Sequence, residues 1–270
     1  MGVCEIQGLT RDYGNGRGAF NLSFSIYQGE VFGFLGPNGK GKTTTIRHLM
    51  GFLKTEKGYC TIGGKDCWKD RADIQKTLGY IPGEMVFFDD MTGTEFLSFM
   101  SKYRKTKSNG RTKELLDRFE LDPRSKLKKM SKGMKQKVGI VTAFMHDPEV
   151  LILDEPTSGL DPLMQSRFIE LMLEEKAKGK TILMSSHMFE EVERTCGRVA
   201  IIRKGKLVVL DAVETLKAAQ AKKYVITLEN EDAAAAFAEE GLRISGVTHN
   251  QVLMAVKDSA NEPSYVPAYR

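Results

Sequence analysis

Val31-Phe32-Gly33-Phe34-Leu35-Gly36-Pro37-Asn38-Gly39-Lys40-Gly41-Lys42-Thr43-Thr44 decides how this chain is read. Five largely apolar residues of strand length run into a glycine-rich turn, and a helix is predicted to begin near Lys42. In that order, the turn amides and the orphan N–H groups of the helix start form a concavity that favours phosphate. Lys42 is placed to reach β- and γ-phosphates, and the Thr43 hydroxyl to meet Mg²⁺. Gly36, Gly39 and Gly41 allow close backbone approach and positive φ; Asn38, Lys40 and Thr44 complete the candidate nucleotide loop. The pattern points to nucleotide binding and says nothing about how the energy is used.

Two further strand ends carry chemistry. Val150-Leu151-Ile152-Leu153-Asp154-Glu155-Pro156 reads as a central parallel strand, apolar on both faces, ending in two acids where α/β sites lie. Neighbours on an extended strand face opposite ways, so Asp154 and Glu155 are expected to have separate tasks. Asp154 is assigned to Mg²⁺ through water beside Thr43; Glu155 is assigned to accept a proton from, or orient, the attacking water. The run Thr181–Ser185 leads through Ser186 to His187, a candidate reporter of the γ-phosphate or, alternatively, a helix cap. His48, His146 and His249 lack acidic or nucleophilic company and read as structural or exposed.

Ser131-Lys132-Gly133-Met134-Lys135-Gln136 opens a helix to about His146, with Ser131 as N-cap. Its start offers amides, a hydroxyl and a dipole to an anion. Capping alone does not explain Gly133, which costs about 0.5–1 kcal/mol in a helix relative to alanine. Tyr13, after the strand Cys4–Leu9, is a candidate adenine stack or a packing residue. Asp161 lies in the turn Thr157–Pro162 before a helix to about Ala177.

The remaining chain reads as an α/β domain with additions. Phe20, Leu22, Phe24 and Ile26 alternate as a half-buried antiparallel strand; Gly58–Ile62 and Lys65–Trp68 follow the first helix, Lys42–Leu53. Leu78–Pro82 is a strand edge leading into the apolar Met85-Val86-Phe87-Phe88. Helices are predicted over Thr94–Tyr103, with Thr94 as N-cap, and through Leu115, Leu116 and Phe119, separated by the polar break Arg104–Gly110. Val199–Ile202 and Lys206–Leu210 form a hairpin. Thr215–Ala221 reads as a linker to a strand–helix–strand–strand appendage (Tyr224–Leu228, Ala233–Glu240, Arg243–Val247, Val252–Val256), and Asn261–Arg270 as a tail.

Composition narrows the class. The 270 residues are 41% hydrophobic and 28% charged, a globular balance. No stretch reaches membrane-span length, and the polar start after Met1 is not a secretory signal. Cys4, Cys60, Cys67 and Cys196 lack a zinc pattern and are expected to be reduced thiols. Net charge is +5, with lysines concentrated at 126, 128, 129, 132, 135 and 137. No aromatics interleave with them, which argues against single-stranded nucleic acid.

Together these motifs resemble the ATP-binding subunit of ABC transporters over about residues 3–215. Gly36–Thr44 resembles the phosphate loop, Ser131–Gln136 the family signature, Leu151–Glu155 the second nucleotide strand, Ser158–Asp161 the dimer-crossing loop, His187 the switch histidine and Tyr13 the adenine aromatic. The resemblance implies a P-loop NTPase core with an antiparallel β subdomain, spanning 1–215 with a helical insertion at about 88–147. A small C-terminal α/β domain at 216–258 and a tail at 259–270 complete the organisation. It implies ATP and Mg²⁺ as ligands, with ATP held between the phosphate loop of one subunit and Ser131, Gly133 and Met134 of the other. The partners would be a second nucleotide-binding subunit, identical or paired, and an integral membrane permease, at the cytoplasmic face of the membrane; nucleic acid is not expected. Three departures stand out: Gly83 where the family has a lid glutamine, beside Glu84; Lys132 and Met134 for the signature's first glycine and its glutamine; and Lys40 at a usually small position. The bacterial multidrug, antibiotic or ion exporter branch is the most similar. Rival readings are a soluble regulatory or nucleic-acid-associated ATPase without a permease, and a nucleotide-binding subunit of negligible activity, suggested by Gly83.

Overall fold

A computed structural model describes residues 2–88, 90–105, 110–219, 221–239 and 244–257. The tail from Asn261 and part of the break at 104–110 lie outside these residues. The chain divides into two compact units between Asp211 and Ala212.

The first unit begins with β1 (Cys4–Asp12) and β2 (Gly18–Ile26), then β3 (Val31–Leu35), α1 (Lys42–Leu49), β4 (Lys57–Ile62), β5 (Lys65–Asp66), α2 (Arg71–Thr77) and β6 (Leu78–Ile81). Helices α3 (Gly93–Tyr103), α4 (Arg111–Arg118) and α5 (Lys132–Phe144) stand between β6 and β7 (Val150–Asp154). There follow α6 (Pro162–Ala177), β8 (Thr181–Ser186), α7 (Phe189–Thr195), β9 (Arg198–Arg203) and β10 (Lys206–Ala212). An antiparallel sheet in the order β2-β1-β4-β5 packs beside a six-stranded sheet in the order β10-β9-β3-β8-β7-β6. In the latter, β9, β3, β8, β7 and β6 pair in parallel.

Burial explains the layers. All six residues of β8 are buried, as a strand covered on both faces requires. The alternating residues of β2 send Leu22, Phe24 and Ile26 into a core shared with β3 and α1, where Phe24 stacks on Phe32 with ring centroids 5.4 Å apart. All four cysteines are free and buried; burial pushes the Cys4, Cys60 and Cys196 thiols up to about 12, so they are inert core residues.

Several boundaries differ from the sequence expectation. Helix α3 starts two residues early: Thr92, not Thr94, is its N-cap, because Glu95 completes a reciprocal capping box with Thr92. The first helix stops at Leu49, where Met50 and Gly51 close it, and α2 was not anticipated. The short strand expected at Lys65–Trp68 is only β5, because Asp66 turns the chain by accepting from the amides of Trp68 and Lys69.

The second unit opens with α8 (Val213–Ala219) where a linker was expected. It continues with β11 (Ala221–Thr227), α9 (Glu231–Ala238), β12 (Ile244–Thr248) and β13 (Gln251–Lys257), in the sheet order β11-β13-β12. Asn230 caps α9, its side chain accepting from the Ala233 amide.

In the first unit, His146 Nε2 accepts from Arg104 Nη1 at 2.9 Å. Arginine only donates, so the ring is neutral there. Burial and the Arg104 charge lower its pKa from 6.5 to about 4. Between those values the unfolded chain binds the extra proton, so this residue's contribution to stability falls as pH falls from about 6.5 towards 4. Urea midpoints measured across that window are expected to decline on acidification, with a shallower decline in His146→Gln.

Candidate active site

The strand register assembles the site. Leu35 pairs with Ser186 and Asp154 with Ser185, so β3, β8 and β7 end side by side. The residues that follow, at the carboxyl ends of parallel strands, open on a cavity of about 780 Å³ lined by Tyr13, Asn38, Gly39, Gly41, Lys42, Thr43, Thr44, Glu155 and His187.

Lys42 is 4% exposed. Its Nζ donates to Gly36 O at 2.5 Å and lies 3.4 Å from both Pro37 O and Asn38 Oδ1. It also stands 3.0 Å from Glu155 Oε1, an ion-pair distance without hydrogen-bond alignment, since Oε1 has no hydrogen-bond partner. Glu155 Oε2 accepts from His187 Nδ1 at 2.5 Å. Lys42, Glu155 and His187 therefore form one chain of contacts.

The two acids are separated by a turn as much as by strand alternation. β7 ends at Asp154, and Glu155 has φ +50°. Such a conformation costs a residue with a side chain about 1 kcal/mol or more. Ser185 supports it from both sides: its Oγ accepts from the Glu155 amide at 3.0 Å and donates to Asp154 Oδ1 at 2.5 Å.

Asp154 is fully buried, and its Oδ2 has no hydrogen-bond partner. Burial raises its pKa, against the Ser185 and Thr43 hydroxyls, which favour the ionised form. An orphaned carboxylate oxygen beside a threonine hydroxyl fits a hard dication. No three of His, Cys, Asp and Glu converge as a metal cage among the described residues, but Mg²⁺ needs only one or two carboxylates with water and phosphate.

Gly83 lies against this oxygen. A Cβ built there would stand 3.0 Å from Asp154 Oδ2, while neighbouring Glu84 lines the cavity. Any side chain at 83 would press on the buried carboxylate.

Other expected residues lie elsewhere on the chain. The Gly36 carbonyl anchors Lys42, and a Cβ on Gly36 would meet Ile202 O at 2.6 Å. Lys40 does not line this cavity; it projects into a separate hollow with Lys204 and Lys206. Ser131 caps α5, Oγ accepting from the Met134 amide at 3.2 Å. A Cβ on Gly133 would meet Gly159 O at 2.6 Å, so close packing between the start of α5 and the loop after β7 supplies a steric reason for this glycine. Asp161 caps α6, accepting from the Met164 amide at 3.0 Å. Ser131, Gly133, Met134 and Asp161 do not line the cavity of their own chain.

The departure at Lys132 has a defined contact: its Nζ donates to Ser158 Oγ at 2.9 Å. Sequence reasoning missed Arg17, Arg47 and Tyr80, which also line the cavity. Arg47 was legible, four residues after Thr43 and so on the same helix face; Tyr80 depended on the sheet order.

The family model for ABC transporter matches residues 19–158. The chain belongs to that family. This ABC chain is 35% identical over 243 residues to the bacitracin transport ATP-binding protein BcrA of Bacillus licheniformis, covering 88% of this chain and 79% of the relative. It is 36% identical over 213 residues to the linearmycin resistance ATP-binding protein LnrL of Bacillus subtilis, covering 77% and 68% respectively. A solved structure of an ATP-binding subunit of an ABC transporter superposes with a TM-score of 0.72 at 32% identity, covering 80% of this chain and 92% of that one. That of cbiO1 from Clostridium perfringens, part of the ABC transporter complex cbiONQ, superposes with a TM-score of 0.66 at 25% identity, covering 80% and 90%. The protein is a transporter ATP-binding subunit and an ATPase.

Gly41 has φ +106°, and a Cβ there would stand 2.5 Å from Gly18 O. Gly41→Ala is expected to cost roughly 1–3 kcal/mol in urea unfolding and to weaken ATP binding measured by fluorescent-nucleotide titration.

Proposed function

We propose that this subunit hydrolyses ATP with Mg²⁺ in a head-to-tail dimer and powers export through a separate membrane permease. The observation that carries the reading is the contact chain Lys42–Glu155–His187 beside the unpartnered Asp154 oxygen. Thr43 and Asp154 would hold Mg²⁺, which when bound neutralises charge on the phosphates. Lys42 and the amides of Gly39–Thr43 stabilise charge building on the transferred phosphoryl group. Tyr13 stacks the base, and Gly36, Asn38 and Thr44 complete the loop, whereas Lys40 faces the separate hollow and takes no part. On ATP binding, Lys42 exchanges the Glu155 carboxylate for phosphate, which frees Glu155 to orient the attacking water while His187 steadies it.

The dimer supplies the groups missing from this cavity. Ser131, Gly133 and Met134 at the start of α5, with Asp161, would close over the nucleotide of the opposite copy; their position outside the cavity of their own chain is compatible with that arrangement. The similarity to BcrA and LnrL supports export of antibiotic-like cargo.

No helix among the described residues is long and apolar enough to cross a membrane. A partner must therefore form the pathway in this reading, with the subunit at the cytoplasmic face of the membrane. The docking region is the aromatic ladder after β6: Phe87 packs edge-on against Phe96, Phe88 against Phe99, and Phe99 stacks on Tyr103. Phe88 and Tyr103 remain 59% and 75% exposed, and Tyr103 borders a hollow of about 790 Å³ with Phe52 and Met100. An apolar surface of this kind suits a short amphipathic cytoplasmic helix of the permease.

Glu155→Gln is expected to bind ATP normally, to hydrolyse it at least about 100-fold more slowly, and to elute as an ATP-dependent dimer on size exclusion. Wild-type turnover would overturn the role given to Glu155. The pair Phe88→Ser and Tyr103→Ser is expected to leave melting and the isolated ATPase unchanged while removing transport in permease-containing vesicles.

A further inference from the structure

Behind the cavity lies a carboxylate that the mechanism above does not use. Glu191, on α7, is 7% exposed. Its Oε1 accepts from Thr157 Oγ1, and its Oε2 accepts from Ser186 Oγ at 2.6 Å. No ion pair among the described residues includes it. This buried carboxylate sits in the first turn of α7, where the helix dipole favours an acid, and among the described residues two hydroxyls donate to it. The Met188 amide at the helix entry already donates to Ser186 Oγ at 2.9 Å, and Val192 anchors the helix in the core.

The two hydroxyls belong to the two strand ends that carry the chemistry. Thr157 follows Glu155 by two residues, and Ser186 precedes His187. Glu155 and His187 meet each other in front through their 2.5 Å hydrogen bond. The contacts therefore close a ring: Glu155-Pro156-Thr157, across Glu191 to Ser186-His187, and back to Glu155. The front of this ring is fragile, because the His187 side chain is 48% exposed and Glu155 turns with positive φ. The rear bridge is buried and takes one hydroxyl on each oxygen, which fixes the spacing of the two segments.

We propose that Glu191 is a positioning residue that holds Glu155 and His187 in register for water attack by bridging Thr157 and Ser186 from behind. This rests on the roles given above to Glu155 and His187. Glu191 does not line the cavity; its effect passes through the two chain segments.

The test uses the full-length chain, with single-turnover phosphate release for the chemical step and fluorescent-ATP titration for affinity. Glu191→Leu is expected to slow hydrolysis about tenfold or more while nucleotide Kd changes less than about twofold, since small misplacement of reacting groups costs rate rather than binding. Glu191→Gln keeps the shape and one acceptor, and the hydroxyls can turn to accept from its amide, so it is expected to restore most of the rate. In a His187→Ala background, Glu191→Leu is expected to add little. Additive losses, a parallel rise in Kd, or wild-type turnover of Glu191→Leu beside an impaired Glu155→Gln would overturn the bridge and leave the site reading intact. Wild-type turnover of Glu155→Gln would overturn both. If Glu191→Leu does not fold, Thr157→Val and Ser186→Ala each remove one leg; each is expected to slow turnover about threefold, with Thr157→Ser near wild type. Unchanged rates in both variants would equally overturn the bridge.

Discussion

The parallel pairing of β3, β8 and β7 is the constraint on which the site depends. Because Leu35 lies opposite Ser186 and Asp154 opposite Ser185, three chain segments far apart in sequence leave the sheet at one level. Parallel pairing sends their carboxyl ends the same way, and the crossover helices place the following residues over one edge. A slip of one residue in either pairing would turn Asp154 or Ser185 to the opposite face. The buried runs on both faces of β7 and β8 resist that slip.

Charge is handled locally within this frame. Lys42 is almost fully buried, yet the Gly36 carbonyl and Glu155 surround its amine. Asp154 is buried with one oxygen satisfied by Ser185 and one left open. Both arrangements make sense for a site completed by a ligand of opposite charge: a phosphate for the lysine and a cation for the aspartate. The adjacent serines divide the work, Ser185 facing Asp154 and Ser186 facing Glu191, as successive strand residues do.

The glycines show two distinct physical reasons for one residue type. Gly41 combines a positive φ with the close approach of Gly18, whereas Gly133 and Gly83 are confined by the Gly159 carbonyl and the Asp154 carboxylate. Gly133 illustrates why local rules ran out. As an isolated helix start it is unfavourable, and the neighbouring loop supplies a steric reason for it. Lys132 likewise acquires a partner, Ser158, that no sequence spacing discloses.

The sequence by itself determined the α/β class, the glycine-rich turn between β3 and α1, the acids at the end of β7 and the alternating strand β2, because each follows from local periodicity or from residue chemistry at short spacing. It also carried Ser131 as a cap, while misplacing the start of α3, where Thr92 and Glu95 act together. Only the tertiary structure decided that Lys42, Glu155 and His187 touch, that Lys40 turns to another hollow, and that Gly83 abuts Asp154. Those facts depend on the order of strands in a sheet and on which loops meet at its edge. Contacts across such distances in sequence are selected by packing of the whole core, which no short window of residues encodes.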